Sequence, residues 1–391
     1  MTRRRRLPYN LDGYRAAARR SLPKAIFDFV DGGAGDEWTM RENRAAFERH
    51  AFMPSVLRDV SECSLTTVVG NREMASPIML APAGLAGMIH PEGERAQVLA
   101  ARRHGVIAIT SSASTYSFEE LTEAVPDHLP WFQLYPYKDR GFYGEMVSRA
   151  ATAGFTGLCL TVDASAPGKR ERDLANHLSV RPLRVTWGNV AGAARHPLWL
   201  AGLLRERRLV ARMSTEALGQ RRPPLRSLLR SAGDSAANLV ELLPRQATWD
   251  DLEWLRETWS GPLAVKGIAN PEDAKHAARL GVDAIVVSNH GGRQLDGMPS
   301  TLDLLPRVRD AVDDRVDLIL DGGVRRGADI VKALCLGARA CMIGRPWVYG
   351  LAVAGLPGVS GVLKILEEEM ATTMALLGVR DVTQLGDSQL A

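Results

Sequence analysis

His290 and Arg293 emerge together in the run Ser288-Asn289-His290-Gly291-Gly292-Arg293-Gln294-Leu295-Asp296-Gly297, directly after the strand-like Asp283-Ala284-Ile285-Val286-Val287. An imidazole takes or gives a proton near neutral pH, and a guanidinium grips a carboxylate through two parallel hydrogen bonds. The pair therefore reads as proton chemistry on a substrate that carries a carboxylate. The two glycines let the backbone turn and approach a ligand closely. The alternative is a polar loop with a solvated His and Arg.

Other short apolar runs end in polar residues of useful types. The run over 106–110 is followed by Ser111 and Ser112, the run over 131–135 carries Gln133 and Tyr135, and the run over 157–162 carries Thr161 and leads to Asp163. Lys266, Asp321-Gly322-Gly323-Val324-Arg325 and Gly344-Arg345 close the later ones. Gly322, Gly323 and Gly344 offer backbone N–H groups, and Arg325 and Arg345 add charge, a combination suited to a phosphate. Lys266 could be a Schiff-base nucleophile; with no second lysine nearby it serves better as a fixed positive charge beside an electron-rich ring. Asp163 could orient His290, or cap a helix.

These residues need a scaffold that brings strand ends to one rim. From about Met53, continuous apolar runs over 77–82, 106–110, 131–135, 157–162, 263–266, 284–288, 318–321 and 340–344 alternate with helix-like stretches such as 93–103. Buried parallel strands with crossover helices give this pattern, and it predicts a TIM (β/α)8 barrel better than an open sheet. Catalytic groups then lie at the strand C-termini, with phosphate after strands seven and eight. The expected layout is a tail and helical segment over 1–52, with helices at Tyr14–Arg20 and Lys24–Asp31, a barrel over 53–375, and a C-terminal tail over 376–391. A long insertion after strand four, about 182–247, is expected to be part helical and part mobile.

The chain has 391 residues, 46% hydrophobic and 24% charged, with a net charge of +4 and four cysteines. That modest charge gives no reason to expect nucleic acid. The charge is concentrated in Arg3–Arg6, read as a solvated tail, and in the insertion at Arg205, Arg207, Arg208, Arg212, Arg221, Arg222, Arg226 and Arg230. The second cluster suits a solvated helical face, an anionic membrane surface or a partner. The absence of an apolar span or a signal-like start leads to an expectation of cytoplasmic location. The singly placed cysteines suggest neither a metal nor a disulfide.

With the run 288–296, Leu22-Pro23-Lys24, Asp36-Glu37-Trp38-Thr39 and Leu376-Leu377-Gly378, the chain resembles the FMN-dependent 2-hydroxy acid oxidase and dehydrogenase family over nearly its whole length. This family includes glycolate oxidase, lactate and mandelate dehydrogenases and hydroxymandelate oxidase. The resemblance implies FMN as cofactor and oxidation of an (S)-2-hydroxy acid to a 2-oxo acid, with flavin N5 as acceptor. It makes His290 the base, Asp163 its partner, Arg170 and Arg293 the carboxylate grip, and Tyr135 the partner of the substrate hydroxyl. It lines the flavin ring with Ala81, Pro82, Ala83, Ser111, Gln133, Thr161, Lys266 and Ser288, and places its phosphate at Asp321, Gly323, Arg325, Gly344 and Arg345. It also implies oxygen, a quinone or a redox protein as electron acceptor, and a homo-oligomer, often a tetramer.

Two positions depart from the family pattern. Phe29 stands where most relatives have a tyrosine that helps hold the carboxylate, and Ala113 where glycolate oxidase has a tryptophan. Both argue for a larger, aryl or long-chain substrate. The insertion, with His196-Pro197-Leu198-Trp199, is similar to the extended loop of membrane-associated lactate and mandelate dehydrogenases, which implies peripheral contact with the inner face of a membrane as an option. Alternative readings are a tailoring oxidase acting on a pathway-specific or peptide-bound intermediate, and a flavin-binding protein without catalysis.

Overall fold

The protein is described by a computed structural model covering residues 6–137, 139–178, 186–206, 208, 211–217, 248–312 and 316–391. Arg3, Arg4 and Arg5, Arg207, Arg221, Arg222, Arg226 and Arg230, and residues 218–247 of the insertion, lie outside the described residues.

Eight parallel strands close into a barrel: β3 (Ile78–Leu80), β4 (Ile107–Ser111), β5 (Trp131–Leu134), β6 (Gly157–Thr161), β7 (Leu263–Ile268), β8 (Ala284–Val287), β9 (Asp317–Asp321) and β10 (Ala340–Ile343), with β10 returning to β3. Most strand residues are buried on both faces, as expected when helices cover the outside and side chains fill the interior. The (β/α)8 expectation holds, and each strand lies within a residue or two of its apolar run.

Ahead of the barrel lie α1 (Leu11–Ser21), α2 (Lys24–Asp31) and α3 (Trp38–Glu48). The first is longer than expected, because the Asn10 side chain accepts the Gly13 N–H at 2.7 Å and starts it earlier. An antiparallel hairpin, β1 (Thr67–Val69) with β2 (Arg72–Met74), was not anticipated: strands this short carry no readable alternation. It seals the barrel floor, where the Gly70 N–H donates to Asp317 at 3.0 Å and a side chain at Gly70 would strike the Trp131 ring.

Of the insertion, helices Trp187–Ala194, Pro197–Glu206 and Arg212–Ala217 are described. Arg208 and Arg212 do not form a solvated face. Both pair with Glu120, and Arg208 also stacks over Tyr116 at 3.5 Å. Arg205 is exposed. The last long helix, Leu356–Leu377, packs beside helices Arg345–Ala354, Gly327–Cys335 and Gly93–His104. No helix among the described residues is long and apolar enough to cross a membrane.

Candidate active site

A cavity of about 380 Å³ opens at the C-terminal ends of the strands. Every site residue expected from the sequence lines it, except Asp163 and Ser288, which stand immediately behind. His290 carries a positive φ of 57°, a conformation that bulky residues avoid but His tolerates better than most. Its N–H donates to Ser288 Oγ at 3.0 Å, and its Nδ1 lies 2.9 Å from Asp163 Oδ1. That contact directs Nε2 away from the carboxylate. Burial works against charge on Asp163, but the His290 ring and the Lys266 ammonium together hold its carboxyl below the usual range. An irregularity in β7 between Lys266 and Ile268 makes room for this pair, since a side chain at Gly267 would overlap Asp163.

Lys266 is 4% exposed, with its ammonium 2.7 Å from Asp321 Oδ2 and 2.9 Å from Ser288 Oγ. Burial alone would favour the neutral amine; Asp321 and Asp163 outweigh it and push the pKa up. A Schiff-base nucleophile needs a neutral amine, so the fixed-charge reading fits. Asp321 is thereby spent on Lys266 and would repel a phosphate. The charge available to an anion at that end comes from Arg325 and Arg345. Gly323 has a φ of +84°, and a side chain there would run into the Asn43 carbonyl, so only glycine closes this loop. Gly344 precedes helix Arg345–Ala354, whose N-terminal dipole also faces the cavity.

At the opposite end, Arg293 donates to the Gly32 carbonyl at 2.8 Å and lies over the Phe29 ring at 5.5 Å. Arg170 pairs with Asp173 at 3.2 Å. Burial, with Arg170 and Arg345 nearby, disfavours charge on Arg293; a guanidinium stays protonated, so the strain becomes attraction for an anion. Tyr135 is pushed up to about 12 by burial, with Asp163 adding to the shift, and stays a neutral donor. Ala113 faces Gly84 so closely that a methyl there would overlap it.

FMN fits this cavity. Gln133 Nε2, Thr161 Oγ1 and Arg345 Nε are buried without hydrogen-bond partners, and all three residues line it. Among the described residues no carboxylate pairs with Arg293, Arg325 or Arg345. A flat ring rich in donors and acceptors with a phosphate tail meets both needs.

Several contributors escaped the sequence. Gln294 donates to the Asp163 carbonyl at 3.1 Å and accepts from the Gly168 N–H at 3.0 Å, joining the loop of Arg170 to that of His290. Asn43 and Asn289 exchange two amide hydrogen bonds, each 2.8 Å. Asp296 accepts the Thr39 N–H at 2.8 Å and so caps α3. Gln294, Asn289 and Asp296 stand in the conspicuous run, but their partners are more than a hundred residues away. The four cysteines are free, and Cys159, Cys335 and Cys341 are buried.

The family model for FMN-dependent dehydrogenase matches residues 18–391. An L-lactate oxidase of Nostoc sp. is 41% identical over 98% of both chains, and an L-lactate dehydrogenase of Caulobacter vibrioides is 41% identical over 97% of this chain and 96% of its own. Among solved structures, a monotopic membrane protein, (S)-mandelate dehydrogenase, superposes with a TM-score of 0.89 at 34% identity over 98% of this chain and 99% of its own. Mandelate oxidase with (S)-2-phenylpropionate superposes with a TM-score of 0.79 at 33% identity, over 98% of both chains. With the barrel, the rim and these likenesses in agreement, the chain belongs to the FMN-dependent 2-hydroxy acid oxidase and dehydrogenase family and is an enzyme of that class.

Proposed function

We propose that the protein oxidises an (S)-2-hydroxy acid with a large, aryl or long-chain, side chain to its 2-oxo acid. The observation that carries this is the substrate end of the cavity, where Ala113 leaves space and Phe29 presents a ring face with no hydroxyl. Arg293 and Arg170 grip the carboxylate, and the Tyr135 phenol donates to the substrate hydroxyl. His290 takes the substrate proton at Nε2, while Asp163 fixes the tautomer and stabilises the imidazolium that forms. FMN, when bound, accepts the two electrons. Ala81, Pro82, Ala83, Ser111, Gln133, Thr161, Lys266 and Ser288 would hold its ring, and Lys266 would supply fixed positive charge where negative charge develops. Arg325, Arg345 and the backbones of Gly323 and Gly344 would hold its phosphate.

Anaerobic mixing of the yellow protein with glycolate, lactate, mandelate and 4-hydroxymandelate tests the reading. Rapid bleaching by the aryl acids is expected; bleaching by lactate alone would restrict the substrate to small acids. The His290→Ala variant is expected to bind FMN and stay yellow with every acid, whereas unimpaired bleaching would remove His290 from the chemistry. Reoxidation in air then separates oxygen from a quinone or redox protein as acceptor.

Peripheral membrane contact is favoured by Trp187, Leu198 and Leu204, which are 88%, 85% and 55% exposed on the insertion helices, and by exposed Arg205. Co-sedimentation with anionic vesicles is expected, and its loss in Trp187→Ser/Leu198→Ser. A homo-oligomer, tetrameric as is common in the family, completes the reading; light scattering measures it.

A further inference from the structure

The wall behind Arg170 holds a carboxylate that the reaction does not use. Asp173 is 2% exposed, three residues along the chain from Arg170 of the cavity lining, and its Oδ2 lies 3.2 Å from Arg170 Nε. Among the described residues its side chain makes no hydrogen bond, and Arg170 is its one ion-pair partner. The Arg170 guanidinium likewise makes no hydrogen bond among the described residues, so it is held by charge and keeps its directional donors for a ligand. The neighbouring acids are committed elsewhere. Asp28 is taken by Lys24 and by Asn176 at 2.8 Å, and Asp31 by Arg15 at 2.6 Å, Tyr349 at 2.6 Å and Arg172 at 3.0 Å. Arg172, which also pairs with Glu37, pins the short helix Glu171–Ala175 to α2 through Asp31, and Asp173 is left aimed at Arg170.

We propose that Asp173 is a positioning residue for the substrate carboxylate: by anchoring the Nε edge of Arg170, it presents the terminal nitrogens of that guanidinium to the acid group of the ligand. The inference rests on the reading of Arg170 and Arg293 as the carboxylate grip. Two effects of Asp173 oppose one another, which makes the idea decidable. As a bare negative charge it weakens the binding of an anion, so removing it would tighten binding. As an anchor it spares Arg170 the entropy of finding the bidentate geometry, so removing it would loosen binding. The short separation and the near-complete burial favour the anchor.

The test uses the FMN-loaded protein and unreactive ligands that lack the 2-hydroxyl: phenylacetate against neutral phenylacetamide, and propionate against propionamide, by titration calorimetry. The wild type is expected to prefer each acid to its amide, and Arg170→Met to shrink that preference to what Arg293 alone supports. Asp173→Asn is expected to bind the acids about ten- to a hundredfold more weakly and the amides unchanged, with no further loss when added to Arg170→Met. Acid binding by Asp173→Asn as tight as wild type, or tighter, overturns the inference while leaving the grip intact. Equal weakening of acid and amide overturns it too, since the residue would then only support the fold. An acid preference undiminished in Arg170→Met removes Arg170 from the grip and its anchor with it. If Asp173→Asn does not fold, Asp173→Glu keeps the charge and displaces it; an unchanged acid preference there is equally fatal.

Discussion

Lys266 and Arg293 are both cations walled into one cavity, and the protein treats them in opposite ways. Lys266 has its counter-charge supplied from within, with Asp321 at 2.7 Å, Ser288 at 2.9 Å and Asp163 acting at longer range. Arg293 has a backbone carbonyl, an aromatic face and two like-charged neighbours, with Asp173 offsetting them only in part and at longer range. The difference separates two jobs. A cation satisfied by the fold is a constant of the site, present whatever is bound. A cation left without an acid is a standing attraction for an anionic ligand, maintained at the expense of stability.

The sharpest way to break this comparison is to remove each charge in turn. Lys266→Met leaves Asp321 buried with no cation and is expected to destabilise the protein by about 3–5 kcal/mol, read from chemical denaturation. A loss below about 1 kcal/mol would mean that Asp321 is not held by Lys266 at all. Arg293→Met is expected to leave stability equal or higher, because Arg345 still donates to the Gly32 carbonyl at 2.7 Å. Its cost appears in kcat/KM, lower by about ten- to a hundredfold as one charged hydrogen-bonding partner is lost. A marked fall in stability with intact turnover would invert the assignment.

Acid sensitivity sharpens the same contrast. Asp31 is buried; its hydrogen bonds from Arg15 and Tyr349 overcome the desolvation penalty and hold its carboxyl far below the usual range. The unfolded chain therefore binds the extra proton first, so stability from this group is full above the unfolded carboxylate value of about 3.9 and is lost as pH falls toward the depressed folded value. Asp31→Asn is expected to lower stability at neutral pH and to flatten the decline below about pH 4; a slope identical to wild type would assign acid lability elsewhere. The smallest effect belongs to Phe29→Tyr. A hydroxyl beside Arg293 is expected to lower KM for a hydroxy acid by about three- to tenfold with kcat little changed, in steady-state assays.

Much of the site was legible because its chemistry is concentrated where strands end. His290 and Arg293 share one run, Lys266 closes an apolar strand, and the barrel rule then brings Asp321, Gly323, Arg325 and Arg345 to the same rim. The eight strands were legible for a related reason: full burial leaves continuous apolar runs. What stayed hidden depends on partners rather than on type. Asn43 and Asp31 are ordinary polar residues on helical stretches, and only the folded chain gives them Asn289 and Tyr349. The arginines at 208 and 212 looked like surface charge for the same reason, since Glu120 is far away in sequence. Asp321 illustrates the limit from the other side: it lines the cavity as expected, but its charge is committed to Lys266.

The reciprocal amide bond between Asn43 and Asn289, with the Asp296 cap on α3, carries a consequence for the order of assembly. Helix α3 leaves the ribosome early, yet its N-terminal cap and its amide partner are made only some 250 residues later. At about 5–20 residues per second this is a wait of roughly ten seconds or more, during which the first helices have no barrel to close upon. The loop that carries His290 in turn acquires its clasp only when that waiting segment swings in. Acquisition of yellow colour by a nascent chain would therefore time the last docking event of folding, not the first.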